Sequence, residues 1–172
     1  LGEAPRSGRD IDAITTSSAR NIVVDHCSLS WATDENLSAS GPRFTGTTTD
    51  DWRAGTSSRI LFSQNIIAEG LAHATHAKGE HSKGSLIHDN VSEIAIYANL
   101  YAHYNLQGIE WTGVTPELGR MDLIGNAMRA GPSTEDGLPL LMIAGVGDLS
   151  AYIDDNIAVD RWGNPLPATG KY

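Results

Sequence analysis

Ile60-Leu61-Phe62-Ser63-Gln64-Asn65 alternates inward and outward side chains and closes on an asparagine. The same frame returns downstream at Ile94-Ala95-Ile96-Tyr97-Ala98-Asn99, at Met121-Asp122-Leu123-Ile124-Gly125-Asn126 and at Ala151-Tyr152-Ile153-Asp154-Asp155-Asn156. Upstream, Ile22-Val23-Val24-Asp25-His26-Cys27 keeps the frame with Cys27 in the asparagine place. Successive asparagines are 34, 27 and 30 residues apart, and Cys27 precedes Asn65 by 38. Period-2 alternation over a few residues marks a half-buried strand. One such strand cannot bury its face alone, so a repeated strand motif implies stacked neighbours. Asparagine at a fixed place suits a turn between short strands, and stacked copies predict an amide-to-amide ladder. No segment carries a sustained helical stripe. The predicted class is all-β, a solenoid of stacked strands, with an ordinary antiparallel sandwich as the competing architecture. The Ser/Thr/Gly-rich stretch from Ser38 to Ser58 breaks the rhythm and is expected to be a surface excursion, because the repeat resumes at Ile60.

The 172 residues are 40% apolar, 6% aromatic and 19% charged, a balance that excludes wholesale disorder. Lys plus Arg number 12 against 21 Asp plus Glu, a formal net charge of -9. Such acidity argues against nucleic acid and anionic membrane as partners, since both are bound mainly through cations. No run approaches the ~20 apolar residues of a membrane span. Cys27 is the single cysteine and can form no internal disulfide. No charged start followed by an apolar stretch marks a signal peptide, and Leu1 is not a start methionine, so an N-terminal segment is expected to have been removed. The observed steps allow about six coils, few for a solenoid. The expectation is one β-helix domain over 1–172, part of a longer chain and lacking N-terminal coils and cap.

The densest polar cluster is Asp10-Ile11-Asp12, then Asp25-His26-Cys27-Ser28-Leu29-Ser30-Trp31, then Asp34-Glu35. If Asp10 and Asp12 alternate on a strand, both carboxylates share a face, and Asp34 on the next coil approaches them. Three converging carboxylates repel unless a hard cation lies between them, and all-oxygen donors favour calcium. The competing interpretation of the same acids is a solvated surface turn. Farther on, His73, His76 and His81 match no compact zinc spacing and are better explained as a histidine-bearing surface loop. Lys83, flanked by small residues, can present an ammonium to an anionic ligand or simply face solvent.

These residues carry a resemblance. Asp10-x-Asp12-Ala13-Ile14, then Val24-Asp25-His26-Cys27-Ser28-x-Ser30-Trp31-x-x-Asp34-Glu35, resembles the pectate lyase family. Ile66-Ile67-Ala68-Glu69-Gly70-Leu71, His81-Ser82-Lys83-Gly84-Ser85-Leu86-Ile87 and Asn99-Leu100-Tyr101-Ala102-His103 continue it in order over roughly residues 8 to 160. The resemblance implies a right-handed parallel β-helix with long loops forming a substrate cleft. It also implies a secreted, monomeric protein that binds calcium and cleaves polyuronate (pectate, polygalacturonate) by β-elimination. By position it implies Asp10, Asp12 and Asp34 as calcium ligands and Lys83 as the residue that holds substrate carboxylate. The family's further acidic position falls on Ser38, and Glu35 is expected to face the other way if the strand alternates. The family's base arginine falls on Gln107, which accepts no proton, and a second arginine is also missing from His103-Tyr104-Asn105-Leu106-Gln107-Gly108-Ile109-Glu110-Trp111.

Two function classes follow. In one, a working lyase takes its base from Lys83, His103 or Glu110, since burial lowers a lysine pKa and histidine needs little adjustment. In the other, a calcium-assisted carbohydrate-binding β-helix of the same family has lost its chemistry, with Trp111, Trp52 and Tyr104 stacking on sugar rings. A purely structural β-helix has no need for carboxylates beside a lysine.

Overall fold

The computed structural model describes residues 10–41, 48–73, 78–114 and 118–171, without the side chains at 49, 52 and 53. A first strand, β1 (Ile14–Ser17), is followed by five circuits of three strands each. The first circuit is β2 (Arg20–Asp25), β3 (Ser28–Leu29) and β4 (Leu37–Ser40), and the second is β5 (Ser58–Ser63), β6 (Ile66–Ala68) and β7 (Ser85–His88). The third is β8 (Ser92–Tyr97), β9 (Leu100–Ala102) and β10 (Ile109–Gly113), and the fourth β11 (Leu118–Ile124), β12 (Ala127–Arg129) and β13 (Leu141–Gly145). The fifth is β14 (Asp148–Asp154), β15 (Ile157–Val159) and β16 (Thr169–Lys171). Strands at the same place in successive circuits pair, giving three sheets ordered β1-β4-β7-β10-β13-β16, β2-β5-β8-β11-β14 and β3-β6-β9-β12-β15. Every one of these strand pairs is parallel. The architecture is a parallel β-helix, and the antiparallel sandwich is excluded.

The repeat frame explains the register. Ile60 pairs with Ile94 and Ile94 with Met121, while Phe62 pairs with Ile96 and Ile96 with Leu123. All six side chains point inward and are at most 2% exposed. Like stacks on like, coil after coil, and each buried side chain of this size contributes roughly 1.5–3 kcal/mol. The intervening positions point out, and Val23 and Tyr97 are 63% and 47% exposed.

The predicted ladder is present. The Asn65 Nδ2 donates to Asn99 Oδ1 at 2.9 Å, Asn99 Nδ2 to Asn126 Oδ1 at 3.1 Å, and Asn126 Nδ2 to Asn156 Oδ1 at 2.9 Å. Each acceptor oxygen also takes the backbone N–H of the residue one coil earlier, beginning with Cys27 on Asn65. The ladder forms because the corner from the second sheet type to the third has a fixed length. That corner is always two residues, at 26–27, 64–65, 98–99, 125–126 and 155–156. Its first residue is left-handed in every coil: His26, Gln64, Ala98, Gly125 and Asp155 have φ between 51° and 67°. Such φ is unfavourable for side chains other than Gly, Asn and Asp, and it holds here because ladder bonds fix the next residue.

The excursion from Ser38 to Ser58 is shorter than expected. Ser38–Ser40 belongs to β4 and Ser58 begins β5, while a short helix α1 (Thr49–Gly55) lies between them. The expected surface excursion did not include this helix. The Thr48 Oγ1 accepts from the Asp51 N–H at 3.2 Å, and Thr48 N–H and hydroxyl donate to the Asp51 carboxylate, a reciprocal capping box.

Candidate functional site: a carboxylate cluster beside a buried lysine

The site is built where the chain enters the first sheet of each circuit. Continuing the pairing of β1 with β4 back by two residues sets Asp12 beside Glu35, and Glu35 itself bridges to Lys83. The pairing of β7 with β10 carried back likewise sets Lys83 beside Gln107. Four successive coils therefore present an acid, an acid, a lysine and an amide in one column.

Carboxylate oxygens of Asp12, Asp34 and Glu35 all lie within 4.8 Å of one another. Asp34 and Glu35 are 8% and 6% exposed. Burial, reinforced by the charges of Asp34 and Asp12, pushes the Glu35 carboxyl up to about 9. Burial also raises Asp12 above the usual carboxylate range, against a lowering hydrogen bond with Glu35. The cluster thus resists holding three negative charges unaided. That is the behaviour of a donor set shaped for a hard cation, and three oxygen ligands fit calcium.

Two details differ from the sequence expectation. Asp10 is exposed at the cleft rim and is not one of the three converging acids. Glu35 takes the third place instead of facing away. Residues 10–13 precede β1, and Asp34 and Glu35 lie in a bend ahead of β4, so strand alternation governs neither pair. Ser38, where the family carries a further carboxylate, is buried on β4 and brings no charge.

Lys83 lies within hydrogen-bond reach of one carboxylate and near another. Its Nζ donates to Glu110 Oε2 at 2.9 Å and lies 3.7 Å from Glu35 Oε1, with all three side chains about one-tenth exposed or less. The second Glu110 oxygen accepts from the Thr112 hydroxyl at 2.8 Å. Gly84 follows Lys83 without a side chain because a Cβ there would meet the Gly108 carbonyl oxygen at 2.2 Å. This tight backbone approach brings the Lys83 and Gln107 coils together.

A cleft of ≈ 210 Å³ opens over the outward face of the first sheet, lined among others by Asp34, Glu35, Lys83, His88, Glu110 and Thr112. His81 also lines it, with Nε2 3.7 Å from Asp34 Oδ1, while His73 is exposed and paired with Glu80 at 2.7 Å. His76 lies outside the described residues. Among the described residues the Asp12, Asp34 and Glu35 group is the one set of three that could share a metal.

Three sequence candidates sit elsewhere. Trp111 and Tyr104 are each 1% exposed, so neither is a sugar platform. Alternation on β10 sends Trp111 inward and Glu110 outward, and Gly113 and Gly119 clear space against the indole. His103 is exposed and stands outside the cleft lining. Gln107 is 3% exposed, in register with Lys83. The Trp52 side chain lies outside the described residues. His88 and Thr112 were not singled out from the sequence, although their alternation with buried Ile87 and Trp111 was the available signal.

Two curated relatives are similar to part of this chain. One, a probable pectate lyase C of Aspergillus terreus, is 33% identical over 101 residues, covering 59% of this chain and 18% of the relative. The other, a probable pectate lyase C of Emericella nidulans, is 31% identical over the same length and shares of the chains. The chain is pectate lyase-like. No family model matches the sequence. The matched part spans about a fifth of the length of these relatives, 18% of each.

Proposed function

We propose that this chain carries the substrate cleft of a calcium-dependent polysaccharide lyase that cleaves polyuronate, such as pectate or polygalacturonate, by β-elimination. The observation that carries it is the convergence of Asp12, Asp34 and Glu35 beside buried Lys83 in one cleft of a pectate lyase-like β-helix. Calcium held by these three acids, with Asp10 at the rim, would join a uronate carboxylate to the protein and make its neighbouring C–H more acidic. The Lys83 ammonium, held by Glu110 and Glu35, faces the cleft as the group that meets a substrate carboxylate. Thr112 fixes the Glu110 carboxylate that orients it. The net charge of -9 favours an anionic polymer only where a cation intervenes. A secreted, monomeric protein with neither nucleic acid nor membrane as partner completes the proposal. No helix among the described residues is long and apolar enough to cross a membrane.

The test is ultraviolet detection of unsaturated uronide from polygalacturonate with calcium and with chelator. Product that appears with calcium and vanishes with chelator supports the lyase. A second proposal, a carbohydrate-binding β-helix without chemistry, is favoured by Gln107, whose buried amide accepts no proton. A flat trace from the wild type, with product appearing in Gln107→Arg, supports that second proposal.

A further inference from the structure

His88 lines the cleft and has no part in the acidic cluster or in the Lys83 ion pairs. We propose that His88, beside Asp89, is the proton acceptor of this cleft, an inference that rests on the lyase proposal above. On β7, Ile87 is fully buried, so alternation turns Leu86 and His88 outward onto the cleft floor. His88 pairs in register with Thr112, whose hydroxyl holds Glu110, and Glu110 holds Lys83. The imidazole therefore shares a surface with the groups that meet substrate.

An anchored carboxylate lies behind it. The His88 Nδ1 lies 2.5 Å from Asp89 Oδ1, with side chains 15% and 6% exposed. The other Asp89 oxygen accepts the Gly41 N–H at 3.1 Å, and the Asp89 carbonyl accepts the Thr56 hydroxyl at 2.9 Å. Asp89 and Asn90 are both left-handed, with φ of 58° and 55°, a turn that the surrounding bonds hold in place. The contact is a charge approach without hydrogen-bond geometry, and the proton is accepted at Nε2, the other ring nitrogen.

The other groups of the cleft are less suited. Lys83 donates to Glu110 and lies beside Glu35, Glu110 accepts from both Lys83 and Thr112, His81 turns its Nε2 toward Asp34 of the acidic cluster at 3.7 Å, His103 lies outside, and Gln107 has no basic atom. An imidazole needs little tuning to accept a proton near neutral pH. In the step, the C5–H bond of the uronate breaks and its proton goes to Nε2. The electron pair forms the C4–C5 double bond, and the C4–O bond breaks. The glycosidic oxygen leaves with the electron pair of the broken C4–O bond and is protonated by solvent, to which His88 then returns its own proton.

Steady-state kinetics on polygalacturonate at saturating calcium test this, with folding followed by circular dichroism and thermal unfolding. His88→Gln and His88→Ala are expected to lower kcat by about 10²–10⁴-fold with KM near the wild-type value. Added imidazole is expected to restore part of the loss in His88→Ala, a rescue that a merely structural role would not give. Asp89→Asn is expected to lower kcat rather than raise KM. If the wild type cleaves and a folded His88→Gln keeps kcat within about twofold, short of any general-base effect, the inference is overturned and the lyase proposal stands. If the wild type forms no unsaturated product, the lyase proposal falls and this role for His88 falls with it.

Discussion

The asparagine ladder and the charged column are both stacks of one side chain per coil, yet they obey opposite rules. In the ladder the same residue returns four times, each amide donates to the next, and every interior member is satisfied by its own kind. In the column Asp12, Glu35, Lys83 and Gln107 are different at nearly every step, and Glu35 is driven up to about 9 by burial among its neighbours. Repetition stabilises because each coil solves the same hydrogen-bonding problem. Variation along the column accumulates unlike charges in one place, which strains the fold and prepares a site for a ligand. A parallel β-helix thus separates its stability from its chemistry by position around the coil.

That separation can be broken at several points, in descending order of effect. Asn99→Ala removes the acceptor of the Asn65 amide and backbone N–H and the donor to the Phe62 carbonyl. At about 1–3 kcal/mol for each buried group left unsatisfied, the expected loss is about 3–5 kcal/mol in urea unfolding. Lys83→Met leaves Glu110 and Glu35 without their cation and is expected to cost about 2–3 kcal/mol, read in the same assay, because removing one partner strands a buried charge. Glu35→Gln should do the reverse to stability. It is expected to stabilise the calcium-free protein by about 1–2 kcal/mol at pH 8 while weakening calcium binding about tenfold or more, by calorimetric titration.

The pH dependence sharpens the same contrast. Glu35 is raised in the folded state from its ordinary 4.5 to about 9, so the folded protein prefers it protonated. Its contribution is fully present below the unfolded value and is lost as pH rises toward the folded one. Unfolding of the calcium-free protein between pH 5 and about 9 should therefore show falling stability, with a smaller slope in Glu35→Gln and with calcium added. The smallest effect is expected outside both stacks. The Arg59–Glu93 pair, 3.5 Å apart with side chains 70% and 53% exposed, should contribute about 0–1 kcal/mol on Glu93→Ala.

Local spacing revealed the ladder from sequence because an asparagine frame and a two-residue corner are both written in consecutive residues. The Asp12–Glu35–Lys83 column was only half legible. Asp12, Asp34 and Lys83 were found by resemblance, but Glu35 was assigned to the wrong face because a bend interrupts alternation before β4. Trp111 was a sugar-stacking candidate in one function class, against the commoner place of an aromatic in a core, and it is in the core. Gly113 and Gly119, which clear space for it, are close in sequence, but the register that turns it inward comes from Ile87 and Ile143, 24 and 32 residues away. His88 shares the cleft with Thr112 through a register 24 residues long, which no local pattern encodes.

The constancy of the ladder corner has a practical consequence. While that corner never exceeds two residues, the connections that lead into the first sheet, and so border the cleft, run through 30–36, 69–84, 103–108, 130–140 and 160–168. One edge of the coil works as a fixed spine and the opposite edge as a set of interchangeable fittings. Loop exchange between coils of this kind offers a route to new cleft linings, provided that each graft starts after the second strand of a circuit and rejoins at the third, leaving the spine untouched.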